Sequence, residues 1–168
     1  MSFRSVRRAN AEDVPVLTRI RNDAHAMKVA HGDHAWGKDG DGFSEAWVLN
    51  SLSRRDVHLV EQDGLAVATF SLDWDDEAYW GAQAPIAGYV HGLSVRNGFN
   101  GLGIGRFAID WCAARIRARE RQYVRLGCDA RNTRLCAYYE SQGFVRVGIA
   151  PQSGPGGYVD SLYEKRVD

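Results

Sequence analysis

The sequence predicts an α+β fold, a mixed and mostly antiparallel central sheet of about seven strands flanked by four helices. Two β-branched runs, residues 57–60 and 65–72, meet around Gln62-Asp63-Gly64, and Asp-Gly between such runs signals a tight antiparallel hairpin. A second strand-like run, residues 87–95, leads through a glycine-dense loop into a strongly periodic helix from about residue 103 to 120. Helical crossovers occur only in the second half. The element order β-α-α-β-β-β-α-β-α-β-β is therefore not that of a doubly wound parallel sheet.

The elements follow in chain order. Residues 3–9 alternate weakly and read as the first strand. Asn10 or Asp13 caps a helix on which Val14, Leu17, Ile20 and Ala24 recur at helical spacing. Residues 31–42, rich in Gly, Asp and His, form a loop. Ser44 caps a second, short helix carrying Trp47, Val48 and Leu52. After the hairpin come an acidic turn, residues 73–77, and a loop, residues 79–85. The long helix presents Ile104, Phe107, Ala108, Trp111 and Ala114 on one face. Residues 123–128 are a strand, and Asn132 caps a helix bearing Leu135, Tyr138 and Tyr139 that Gly143 closes. Residues 144–149 are a strand, 151–157 a Gly/Pro loop and 158–164 a final strand.

At 168 residues without a linker, repeat or low-complexity tract, the chain reads as a single domain over 1–168. Lys+Arg and Asp+Glu are equal at 21 each, which gives no electrostatic reason to expect a nucleic-acid partner. Cys112, Cys128 and Cys136 are odd in number and contain no C-x-x-C pair, a pattern of reduced thiols in the cytoplasm rather than of disulfides or zinc. The first ten residues lack the apolar stretch of a signal peptide, and no run approaches the length of a membrane span. His25, His31 and His34 with Asp33 fall in a loop at no defined ligand spacing, so no metal site is expected.

The glycine loop carries the chemistry. Glycines at 101, 103 and 105 let backbone N–H groups approach a ligand without a Cβ in the way. The helix behind them contributes unpaired N–H groups and the positive end of its dipole, so the segment is a cradle for a phosphate or diphosphate. A Walker loop would need Gly-Lys-Ser/Thr where the chain has Gly105-Arg106-Phe107. Gly103-Ile-Gly105-Arg-Phe-Ala108 satisfies G-x-G-x-x-A, with Asp129 ending a strand downstream. That fingerprint belongs in the first βαβ unit of a parallel sheet, whereas here an antiparallel hairpin precedes it.

Two segments resemble the GNAT superfamily, the Gcn5-related N-acetyltransferases. One is Asn100-Gly-Leu-Gly103-Ile-Gly105, matching Arg/Gln-x-x-Gly-x-Gly/Ala at the start of the helix after the fourth strand. The other is Asn132-Thr-Arg-Leu-Cys-Ala-Tyr-Tyr139-Glu-Ser-Gln-Gly143-Phe144, matching an Asn followed by a helix ending in Tyr-Glu-x-x-Gly-Phe. With the preceding Leu-Ser-Val strand end they cover residues 87–147, and the element order before them agrees. Asn100 departs from the usual Arg or Gln. Because the family uses this loop through backbone amides, cofactor binding is expected to survive.

The resemblance implies acetyl-CoA as co-substrate, lying across a V-shaped gap between the fourth and fifth strands. Its diphosphate would sit on Asn100, Gly101, Leu102, Gly103, Ile104, Gly105 and Arg106. Its pantetheine arm would pair with Leu93, Ser94 and Val95 as an added strand, near Asn132. Arg106, Arg115, Arg117, Arg119 and Arg121 make the long helix basic; one or two would meet the 3′-phosphate of the cofactor, and the rest read as a solvated face. Tyr139 matches the position that donates a proton to the leaving sulfur, although a packed aromatic accounts for the same residue. A backbone N–H near Ser94 or Val95 would serve the oxyanion. Tyr89-Val-His91-Gly-Leu-Ser-Val95 resembles the arylalkylamine N-acetyltransferases, which carry histidines at both alternate positions. His91 is then the candidate base, against the alternatives of a satisfied core histidine or a carboxylate acting through water. Strand parity puts Tyr89, His91 and Leu93 on one face.

Trp36, Trp47, Trp74 and Trp80 fall where the family builds its acceptor site, with Asp73, Asp75, Asp76 and Glu77 nearby. An aromatic wall with carboxylates suits a cationic small amine; core tryptophans and a solvated acidic turn account for the same residues equally well. The expectation is a cytoplasmic N-acetyltransferase acting on a small-molecule primary amine by direct attack in a ternary complex. A protein N-terminal or lysine acetyltransferase, and a non-catalytic acyl-CoA sensor, are the alternatives. Acyl length is left open, as is a homodimer.

Overall fold

The computed structural model describes residues 2–150 and 159–168. Its elements are β1 (Arg4–Arg8), α1 (Val14–Ala30), α2 (Glu45–Arg54), β2 (Val57–Gln62), β3 (Leu65–Asp73), α3 (Glu77–Trp80), β4 (Ala87–Val95), α4 (Ile104–Ala118), β5 (Tyr123–Asp129), α5 (Thr133–Ser141), β6 (Val145–Ile149) and β7 (Asp160–Arg166). Among the described residues one seven-stranded sheet has the order β1-β2-β3-β4-β5-β7-β6. Every neighbouring pair is antiparallel except β4 and β5. The α+β class holds, with a fifth helix in place of the expected four: α3 is a single turn inside the stretch that reads as acidic turn and loop. Four residues are too few to show a helical period.

The caps and turns follow from side-chain chemistry. The Asn10 side chain accepts from Glu12 N while Asp13 accepts from Asn10 N, at 2.9 and 2.8 Å. The Ser44 hydroxyl accepts from Trp47 N at 3.1 Å. At the β2–β3 hairpin both Asp63 and Gly64 have positive φ, 51° and 85°, as a type I′ turn requires. The expected strand over 158–164 is found at Asp160–Arg166; Tyr158 and the loop 151–157 lie outside the described residues.

The sheet carries two apolar clusters. On one face Val14, Leu17 and Ile20 of α1 pack with Val48 of α2 and Leu59 of β2. On the other, Val60, Phe70, Val90, Leu126 and Tyr163 meet α4 and α5. Successive residues Leu59 and Val60 thus point to opposite faces, the period-two signature of a strand covered on both sides. The α4 face differs from expectation. Its buried stripe is Ile104, Ala108, Ile109, Cys112 and Ile116, with Phe107 and Trp111 at the margin. Ala114 is exposed, because at 100° per residue it falls nearly opposite the centre of that stripe.

One irregularity shapes the centre of the sheet. Thr69 pairs with Ser94 but Ser71 pairs with His91, so Phe70 alone opposes Gly92 and Leu93. This is a β-bulge. Gly92 sits at φ +62°, where a Cβ would lie 2.3 Å from the Arg21 guanidinium. The extra residue shifts the phase of β4 and overturns the expected shared face of Tyr89, His91 and Leu93: Leu93 turns to the α4 cluster with Val90. On its other side β4 pairs with β5 only through Ala87, Gly88 and Tyr89. Beyond Tyr89 the two parallel strands diverge.

Candidate functional site

A cavity of about 840 Å³ opens where β4 and β5 part. At one end lies the N-terminus of α4. Gly103 is its N-cap at φ +77°, in the left-handed region, with no side chain capping the helix. Among the described residues, the backbone N–H groups of 100–106 donate to nothing. The loop is gripped from behind instead, since Arg4 donates to the Leu102 carbonyl at 2.7 Å. A Cβ on Gly105 would stand 2.4 Å from the Tyr138 hydroxyl, so only glycine fits there without displacement. Asn100, Gly101, Gly103, Ile104, Gly105 and Arg106 line the cavity; the Leu102 side chain does not and is half exposed. Free amides, a helix dipole and the Arg106 charge are features that suit an anion. These amides fit the diphosphate of acetyl-CoA.

The β4 wall bears Leu93, Ser94 and Val95, whose backbone has no ladder partner on the β5 side. Ser94 is buried, and its hydroxyl donates to the Gly92 carbonyl at 3.0 Å. An unpaired strand edge is where an amide-bearing chain docks. Asn132 lines the cavity, but both ends of its amide are engaged. Its oxygen caps α5 through Leu135 N at 3.1 Å, and its nitrogen donates to the buried Asp33 at 2.6 Å. That bond and the Lys28–Asp33 pair at 3.3 Å tie the segment after α1 to α5.

Tyr139 lines the same cavity. Its ring packs edge-on against Phe144 and near Tyr163, and the residue is 7% exposed. Burial pushes its hydroxyl well above the usual tyrosine range, so the proton is held at neutral pH. Tyr138 is the more exposed of the pair.

His91 also lines the cavity and is not a sealed core histidine. Its Nε2 is 3.3 Å from Asp76 and 3.8 Å from Asp73, which also pairs with Arg55 at 2.7 Å. Tyr89 is turned elsewhere: its hydroxyl accepts from Arg125 at 3.0 Å, and it does not line this cavity. Asp160, on β7, reaches the cavity too, and burial beside Asp129 raises its pKa to about 6. Neither Asp160 nor Arg21 stands out in the sequence, because each meets the cavity only through the sheet order and the bulge.

The aromatic wall expected for a cationic acceptor is filled by the protein's own guanidinium groups. Arg21 lies 4.2 Å from the Trp36 ring and 5.4 Å from Trp47, Arg119 is 4.0 Å from Trp74, and Arg125 is 4.7 Å from Trp80. Of the α4 arginines only Arg106 reaches the cavity. Arg115 stacks on Trp111, Arg117 donates to the Val167 carbonyl, and Arg121 donates to the carbonyls of Trp74 and Ala87. His25 is buried with Nε2 3.2 Å from the Gly37 carbonyl, and His31 meets Arg134. Among the described residues no helix is long and apolar enough to cross a membrane.

Comparison with known proteins agrees with this geometry. The sequence model of the Acetyltransferase (GNAT) family matches residues 18–144. The chain is 26% identical over 142 residues to the uncharacterized N-acetyltransferase YesJ of Bacillus subtilis, covering 81% of this chain and 75% of that one. An acetyltransferase of the GNAT family from Streptococcus agalactiae superposes with a TM-score of 0.78 at 17% identity, over 97% of this chain and 95% of that one. YncA of Salmonella typhimurium, a putative acetyltransferase solved with acetyl-CoA, superposes with a TM-score of 0.69 at 18% identity, over 99% and 95%. The family model spans most of the chain, from α1 to the start of β6: the chain belongs to the GNAT acetyltransferase family.

Proposed function

We propose that this acetyl-CoA-dependent acyltransferase acetylates the primary amine of a small molecule, by direct attack in a ternary complex. One observation carries the reading. The free amides of residues 100–106, the unpaired edge of β4, the Tyr139 hydroxyl and the His91–Asp76 pair all border one cavity. The residues divide the work by chemistry. The amides and α4 hold the diphosphate, and Leu93 to Val95 align the pantetheine arm so that the thioester lies beside β4. His91 takes a proton from the acceptor ammonium, and Asp76 stabilises the imidazolium that results. The neutral nitrogen attacks the thioester carbonyl carbon. A backbone N–H at Ser94 or Val95 donates to the oxygen as it gains charge. The carbon–sulfur bond breaks, and Tyr139, whose burial keeps it protonated, gives its proton to the departing sulfur.

A small acceptor is favoured by the side chains at the Arg21 end. Arg21, Arg55, Asp76 and His91 border the cavity together with Trp36 and Trp47, charged and aromatic groups suited to a compact polar amine. The test is a thiol-release screen with acetyl-CoA against amino acids, polyamines, aminoglycosides, arylalkylamines and short peptides. Release with at least one small amine, and none above background with peptides, is expected. Release with peptides alone would replace this reading by a protein acetyltransferase, and release with no amine would leave a binding module.

A further inference from the structure

We propose that Arg21 binds a carboxylate of the acceptor, so that the substrate is an amino acid or another amine carrying a carboxylate close to its nitrogen. This rests on the acetyl-transfer reading above and narrows it.

Arg21 differs from the carboxylate-paired arginines of the molecule in being buried with an unsatisfied donor. Arg7, Arg55, Arg125 and Arg131 each have a carboxylate oxygen within 3.0 Å. Arg21 has no such partner among the described residues, although it lines the cavity. Its Nη1 donates to the Gly92 carbonyl at 3.1 Å, Nε is buried without an acceptor, and Nη2 donates to no described residue. The guanidinium instead lies among three rings, at 4.2 Å from Trp36, 4.3 Å from Phe43 and 5.4 Å from Trp47. Aromatic faces offset part of the cost of removing this charge from water. They do not accept its N–H groups, and a guanidinium brings five. Burial and the nearby Arg55 charge bring its pKa down to about 10, still well above neutrality, so the cation persists.

The acids close by are already committed. Asp73 pairs with Arg55, and Asp76 faces His91. An anionic ligand group is the partner this guanidinium lacks, and a carboxylate matches its planar donors. The position suits an amino acid. Arg21 is anchored on the carbonyl of Gly92, the residue next to His91. The anion station and the proposed proton acceptor therefore border the same stretch of β4. This part of the cavity wall is positive at Arg21 and Arg55 and negative at Asp76, which favours a zwitterion over a polyamine.

The experiment compares matched acceptors in the thiol-release assay: the twenty amino acids, their carboxamides and their decarboxylated amines. We expect the preferred amino acid to exceed its carboxamide and amine by ~10–100-fold in kcat/KM, mostly through KM. Arg21→Gln should erase that difference by lowering the rate with the amino acid alone. Equal rates for an amino acid and its carboxamide in the wild-type protein, a comparison that needs no variant to fold, would overturn the carboxylate site while leaving acetyl transfer intact. Equal loss on all three acceptor types in a folded Arg21→Gln protein would overturn it as well. Binding is read separately from thermal shifts of the wild-type protein with the same amino acids. Shifts that need Arg21, in the absence of any thiol release, would uphold the carboxylate site and reject the catalytic reading.

Discussion

The two ends of the cavity are built on different plans. At the α4 end the proposed donors are consecutive backbone amides, residues 100–106, with Arg106 as a side-chain charge beside them. At the Arg21 end the proposed chemistry comes from side chains far apart in sequence: Arg21 on α1, Arg55 after α2, Asp76 before α3 and His91 on β4. The backbone site depends on conformation, and the side-chain site depends on tertiary assembly. The first should therefore tolerate a change of side chain at Asn100 but not a change of φ at Gly103, and the second should have the opposite sensitivities.

The largest effect expected falls between the two ends. Tyr139→Phe removes one hydroxyl and leaves the ring packed on Phe144 and Tyr163. It should lower kcat by ~10²–10⁴-fold with little change in melting temperature or in acetyl-CoA affinity. A normal kcat would remove Tyr139 from the mechanism. Next in size is Gly103→Val. At φ +77° a branched residue is strained by ~1–2 kcal/mol and crowds the free amides. Acetyl-CoA Kd, measured by calorimetry, should rise ~10-fold or more at that cost.

A smaller effect probes the cavity wall. The Asp160 carboxyl has its pKa raised to about 6, first by burial and then by Asp129. A raised carboxyl binds its proton more tightly folded than unfolded. Its contribution is thus fully present below the unfolded value and is lost as pH rises through about 6. Asp160→Asn should therefore melt several degrees higher than the wild type at pH ~8, at ~2–4 °C per kcal/mol, with the advantage vanishing by pH ~4. The smallest effect expected sharpens the comparison most. Asn100→Ala, inside the backbone site, should change acetyl-CoA affinity by no more than ~3-fold, since the side chain is not the donor. A large loss would mean that this end also works through its side chains.

The same contrast explains what could be read in advance. The hairpin, the caps at Asn10, Ser44 and Asn132, and the glycine entry to α4 are local events. Their residues are neighbours in sequence, and each leaves a pattern there. The bulge at Gly92 left none, because a lone glycine in a strand has several explanations until the register with β3 is known. That shift alone moved Leu93 to the α4 side. The tryptophans were ambiguous for a related reason. Their abundance in the first half was visible, but not that Arg21, Arg119 and Arg125 already occupy their faces. Asp160 was unmarked because its environment comes from Asp129 across the sheet.

The central claim is that the amides of residues 100–106 grip the diphosphate while the edge of β4 takes the pantetheine arm. Amide chemical shifts in a ¹⁵N-labelled protein titrated separately with CoA and with pantetheine, which lacks the diphosphate, test it most directly. Large shifts are predicted at Gly101, Gly103 and Gly105 with CoA but not with pantetheine, and at Leu93 to Val95 with both. Glycine amides that stay unmoved at saturating CoA would contradict the account.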